Sequence, residues 1–297
     1  STLSSSSAAS DVYKRQEFPL GGMNEAGLVV EELNMPAYTA EADTSRYGLN
    51  EFQLVQYLLD NCASLEEVSY LLEKILVTPA LVSLHYMVME RSGRSLILEP
   101  DQDGITVIPT DLTPPVLSNN PYMESLKYLS KFRGFGGELP IVHREGSNER
   151  FVSMASMLTR SRGGDPVTTA FAMLDTVSQM DTRWSIVYDA MNLTVSLKFH
   201  NCRHVRTFHL EELMDQVQST GTFSGSGLMP GTEVSDCRED SRNTFRLISS
   251  GENAALIRTV FDLLHEDLNL AGRADLVERW IIYSRRYMGL GKTKKSE

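Results

Sequence analysis

The chain has 297 residues and a mass of 33.2 kDa, with 41% hydrophobic and 23% charged residues, the balance of an ordinary globular protein and not of a disordered or collagen-like one. Its 39 acidic and 28 basic residues leave a net charge of -11, which argues against a nucleic-acid partner because phosphate binding needs a basic face. No apolar run approaches the ~18 residues needed to cross a bilayer, so no membrane span is expected.

Residues 1–16, STLSSSSAASDVYKRQ, show neither a hydrophobic period nor the charged-then-apolar pattern of a secretory signal. The stretch Ser6–Gln16 looks like one translated frame of a transposase-type sequencing adapter. Residues 1–16 are therefore expected to be a non-native or disordered leader, with native sequence from Glu17. Gly27–Leu33 is a short β-type run stopped by Asn34-Met35-Pro36. Asn50 with Gln53 forms a capping box ahead of a helix carrying Phe52, Val55, Leu58 and Leu59. Ser64 with Glu67 opens a second, whose apolar stripe is Leu65, Val68, Leu72 and Ile75.

The period then changes. Val82–Glu90, Arg94–Glu99 and Gly104–Ile108 read as an antiparallel meander broken at Ser92-Gly93 and Asp101–Asp103. Helical spacing returns from Pro121 to Leu129, again from near Ser147, and once more from Asp165-Pro166 to about Gln179. Trp184–Asp189 and Thr194–His200 are two further strands around Asn192. The Gly/Ser-rich stretch Ser219–Gly231 falls in a linker, assigned to residues 219–250. Residues 251–297 form a helical extension, with Leu256, Ile257, Val260, Phe261 and Leu264 on one helix and Leu276, Val277, Trp280 and Ile281 on another. Alternating clusters of helices and antiparallel strands indicate an α+β fold and argue against a parallel βαβ one.

Four stretches in this order, GMNEAGLVVEELNMP (Gly22–Pro36), NEFQLVQYLLDNCASLEEV (Asn50–Val68), VLSNNPYMESL (Val116–Leu126) and SNERF (Ser147–Phe151), resemble the linear amide hydrolases that include choloylglycine hydrolase and penicillin V acylase. The resemblance runs from about Glu17 to Leu213. It implies an N-terminal-nucleophile hydrolase, a four-layer αββα sandwich incomplete at its N-terminus, over residues 17–218. It also implies hydrolysis of a non-peptide amide C–N bond in a bile-salt conjugate, an N-acyl amino acid, an acyl homoserine lactone or a penicillin V-type amide. Family members use an N-terminal cysteine whose own α-amino group, titrating near pH ~8, serves as the base. That cysteine has no counterpart in this sequence, nor do the Arg and Asp that follow it. The chain as it stands is therefore expected to be inactive, and a nonenzymatic binding member of the same fold is the alternative.

By the resemblance, Asn119, in Ser118-Asn119-Asn120-Pro121, matches the family's oxyanion-hole asparagine, and the chemistry suits that role, since a carboxamide donates to a developing oxyanion without carrying a titratable charge. An Asn-Pro turn is the other reading. Asn34 matches a second oxyanion or substrate-facing position, or else simply ends a strand. Arg150 matches the active-site arginine, or is a surface helix arginine paired with Glu. His200, Cys202 and His204 alternate and could share a strand face, the basis of a rival metal-hydrolase reading that lacks a fourth ligand; no metal and no cofactor are expected. Cys62, at a helix end, reads as a buried apolar cysteine. Three scattered cysteines, Cys62, Cys202 and Cys237, suggest a reducing compartment such as the cytoplasm. The expected partner is a small-molecule amide substrate, and the C-terminal helices are expected to dock either on the hydrolase body or on a second subunit in a homo-oligomer.

Overall fold

The computed structural model describes residues 20–38, 46–79, 82–142, 144–161, 163–180, 182–200 and 204–212. Apart from Glu212, these belong to one compact unit, Leu20–Glu211. The expected leader (1–16), linker (219–250) and helical extension (251–297), together with Cys202 and Cys237, lie outside the described residues.

Three short stretches around the first helices set the frame. Strand β1 (Gly21–Met23) turns back into β2 (Val29–Asn34). The turn is held by the Asn24 side chain, whose Oδ1 accepts from the backbone N–H of Ala26 and of Leu28. Gly27 has φ +80°, and a Cβ there would lie 2.8 Å from the Ala190 carbonyl, so the turn tolerates no side chain. Helix α1 (Glu51–Asn61) starts at the expected capping box: Asn50 accepts from the backbone N–H of Phe52 and Gln53 while Gln53 reaches back to the Asn50 N–H. Helix α2 (Leu65–Leu72) is capped by Ser64.

Ile75 departs from expectation. It lies beyond the end of α2 and opens a strand, β4 (Ile75–Val77), which pairs in parallel with β3 (Tyr47–Leu49). The intervening α1 and α2 provide the crossover that a parallel pair requires, so one short parallel pair stands beside the antiparallel strands of the expected α+β fold.

The meander forms as expected. Strands β5 (Leu84–Met89), β6 (Ser95–Pro100) and β7 (Ile105–Pro109) extend the first hairpin into an antiparallel five-stranded sheet of order β1-β2-β5-β6-β7. Glu31 pairs with Met87 and Met87 with Ile97, so these three side chains share one sheet face. On that face Ile97 joins a core with Tyr122 and Leu129 of α3 (Tyr122–Leu129) and Phe151, Val152 and Ala155 of α4 (Ser147–Arg160). Tyr86 lies on the opposite face, where its hydroxyl donates to the Glu51 carbonyl of α1 at 2.7 Å. Helix α5 (Pro166–Thr176), with Asp165 as its cap, packs on β8 (Trp184–Asp189). With β9 (Thr194–Phe199) and β10 (Val205–His209), β8 forms a second, antiparallel sheet of three strands.

Candidate functional site

Strand β2 ends at Asn34, the loop before α3 carries Asn119, and the first turn of α4 carries Arg150. The fold brings all three together. Asn119 Nδ2 donates to the Asn34 carbonyl at 3.1 Å, and Arg150 Nη2 donates to Asn119 Oδ1 at 2.5 Å. Arg150 Nη1 also donates to the Glu145 carbonyl at 3.2 Å, which holds the guanidinium across the turn that enters α4. Ser147 Oγ donates to Ser118 Oγ at 3.2 Å, tying the same helix start to the residue before Asn119.

This geometry gives the Asn119 carboxamide a direction. Its oxygen faces a permanent cation, and one of its two N–H groups is bound to a carbonyl; the second has no partner among the described residues. Hydrogen bonds in series polarise one another, so a guanidinium on Oδ1 makes the remaining N–H a better donor. Asn34 contributes its backbone carbonyl, while its side chain is exposed.

The other sequence candidates are placed elsewhere. Cys62 follows α1 and is buried, and burial pushes its thiol up to about 12, with Glu67 adding to the shift. Such a thiol holds its proton at neutral pH and is no nucleophile. His200 follows β9 and His204 precedes β10; no group of three or more metal-ligating side chains occurs among the described residues. A surface cavity of about 580 Å³ involves the far end of α4, with Met157 and Arg160, and not the turn that bears Arg150.

Sequence reasoning missed two polar constellations on the five-stranded sheet. Tyr188 of β8 donates to Glu31 Oε1 at 2.6 Å. Burial raises the Glu31 carboxyl to about 7, although the tyrosine hydrogen bond pulls the other way. Its neighbour Glu32 is raised to about 9 by burial first and by the charges of Glu31 and Glu51 second. The second constellation is His85 of β5, fully buried, with Nδ1 3.3 Å from Glu99 Oε1 of β6. A signal for the first was present: adjacent carboxylates in a strand point to opposite faces, so in a sheet covered on both sides each is left half-buried.

A family model for linear amide C–N hydrolases of the choloylglycine hydrolase family matches residues 12–160, half of the chain, a span that contains Asn34, Asn119 and Arg150. The chain belongs to this family. The match begins at Val12, inside the stretch expected to be foreign. Among curated relatives, a bile salt hydrolase/transferase of Lactiplantibacillus plantarum is 26% identical over 137 residues, covering 42% of this chain and 41% of that protein. One from Clostridium perfringens is 28% identical over 110 residues, covering 34% and 33%. The chain thus spans less than half the length of the curated relatives it matches. Among solved structures, penicillin V acylase from Agrobacterium tumefaciens superposes with a TM-score of 0.57 and 23% identity over 66% of this chain and 67% of that one. A variant of the conjugated bile acid hydrolase of Clostridium perfringens gives a TM-score of 0.56 and 16% identity over 65% and 73%. These likenesses show a shared fold. Among the described residues no helix is long and apolar enough to cross a membrane.

Proposed function

We propose that the whole protein hydrolyses a non-peptide linear amide by cysteine acyl transfer on a four-layer αββα body spanning residues 17–218, with residues 219–250 as a linker and 251–297 as a helical extension. The nucleophile is an N-terminal cysteine outside these 297 residues. Its thiolate attacks the amide carbonyl, and its α-amino group takes the thiol proton and passes it to the leaving amine; water then releases the acyl group. Asn119 donates its uncommitted N–H to the tetrahedral oxyanion, Arg150 holds and polarises the carboxamide, and Asn34 borders the substrate. Bile-salt conjugates, N-acyl amino acids, acyl homoserine lactones and penicillin V-type amides fit this chemistry.

The observation that carries the reading is the bridged carboxamide of Asn119, gripped at its oxygen by Arg150 and at one N–H by the Asn34 carbonyl. The test uses the protein with its native N-terminus. Asn119→Ala should lower kcat by about a hundredfold or more, the usual cost of one oxyanion donor. KM and thiol labelling of the nucleophile should change little. Turnover within a few-fold of wild type, with a lowered Tm, returns Asn119 to a turn residue. A native N-terminus without cysteine, and binding of an amide without turnover, would establish the nonenzymatic alternative.

A further inference from the structure

Helix α3 begins at Tyr122 with no cap of its own, because Pro121 stands at the N-cap position and makes no side-chain capping bond. A helix start needs acceptors for its first N–H groups. Here the acceptor comes from another element: Glu99 Oε1 of β6 takes the Tyr122 backbone N–H at 2.6 Å. The same oxygen lies 3.3 Å from His85 Nδ1. His85 pairs across the sheet with Leu33, the residue before Asn34. The His85–Glu99 pair therefore stands between the two chain segments that the Asn119 carboxamide bridges.

The pair is a costly way to hold a sheet together. His85 is fully buried, and its Nε2 has no hydrogen-bond partner among the described residues. Apolar residues of similar volume would fill such a position without that penalty. The tyrosine beyond the cap is itself fixed: its hydroxyl donates to the Pro114 carbonyl at 2.7 Å and lies 2.8 Å from the Thr113 hydroxyl. Between Tyr122 and Asn119 stand Asn120 and Pro121, and the proline ring removes most of the slack in that link. A shift of the Tyr122 N–H is thus passed on to Asn119.

We propose that His85 and Glu99 are positioning residues, which cap α3 from the sheet so that the Asn119 carboxamide stays bridged between Asn34 and Arg150. Their bearing on catalysis rests on the oxyanion reading above, whereas their hold on Asn119 is measurable without it. The measurement is the side-chain 15N–1H signal of Asn119 in this chain, assigned by its loss in Asn119→Ala. In wild type the two Nδ2 protons should differ, and the one bound to the Asn34 carbonyl should be protected from exchange. Glu99→Asp keeps the charge but withdraws the carboxylate, and His85→Gln removes the ring. Each should make the two protons converge and exchange roughly tenfold faster or more, while the amides of Val88 and Leu98 stay protected. Glu99→Gln, which still accepts at Oε1, should keep the wild-type signal.

In the protein with its native N-terminus, Glu99→Asp should lower kcat by roughly tenfold or more with KM nearly unchanged, as misplacement of a reacting group does. An altered Asn119 signal in a protein that hydrolyses no amide upholds the positioning and removes the hydrolase reading. An unchanged Asn119 signal in folded Glu99→Asp and His85→Gln overturns the proposal. So does a finding that both variants unfold, since the pair would then serve stability alone.

Discussion

Glu31 and Glu32 hold protons in the folded chain to about pH 7 and about pH 9, against an ordinary 4.5. Between those values the native state binds protons that the unfolded chain has released, so stability falls as pH rises. Their stabilising effect is complete below pH 4.5, diminishes through the Glu31 range and is gone above the Glu32 range. Each contributes a slope of up to ~1.4 kcal/mol per pH unit where it alone differs between the states. Carboxylates with lowered values, such as Glu90 beside Arg94, act at more acidic pH and do not offset this. The urea midpoint should therefore decline steadily from pH 5 to 8, and Glu32→Gln should flatten the portion above pH 7. A midpoint that is level or rising over that range would contradict the assignment. Cys62 offers a check on the same burial physics. In a Cys202→Ser/Cys237→Ser chain, alkylation of Cys62 at pH 8 should be slower by orders of magnitude than in denaturant, because its thiol is shifted up to about 12.

Among elements, the helices were written most plainly in the sequence because their start signals are local. Asn50 with Gln53 and Ser64 with Glu67 each place acceptor and donor within one turn, as does Asp165, which accepts from the Thr168 N–H while Pro166 presets the first turn, and each forms. Asn50→Ala should cost ~1 kcal/mol, read as a lower urea midpoint at unchanged m-value; no change would mean that packing alone fixes α1. The three-residue strands β1, β3 and β4 were not legible, since so few residues show no period. The spacing of Ile75 from Leu72 is helical and points to α2, whereas its pairing with Tyr47 depends on residues far away in sequence. The site divides the same way. Asn34, Asn119 and Arg150 could be picked out by motif, whereas the Arg150–Asn119 bond and the remote cap from Glu99 exist only once α3, α4 and the sheet have met.

At the scale of the whole unit, the two antiparallel sheets meet along a seam of a few specific contacts. It contains the Tyr188–Glu31 bond, the Gly27 turn against the Ala190 carbonyl, and the donation from Arg91 Nη2 to the Met191 carbonyl at 2.7 Å. None of these contacts is local: the Tyr188–Glu31 pair spans 157 positions and the Arg91–Met191 pair 100.

That separation has a consequence in time. Met89 and Ser95 close the β5–β6 hairpin across a handful of residues, whereas joining Tyr188 to Glu31 costs about 3 kcal/mol more in closure entropy. The meander should therefore assemble early and the seam late, after the barrier has been crossed. Tyr188→Phe should speed unfolding in a stopped-flow chevron while leaving the refolding limb almost where it was. A slowed refolding limb would put the seam in the nucleus instead. If the seam is the last part to close in folding, it is the first to open in unfolding, and a protease added to the native chain should cut near β8 before it reaches the five-stranded sheet.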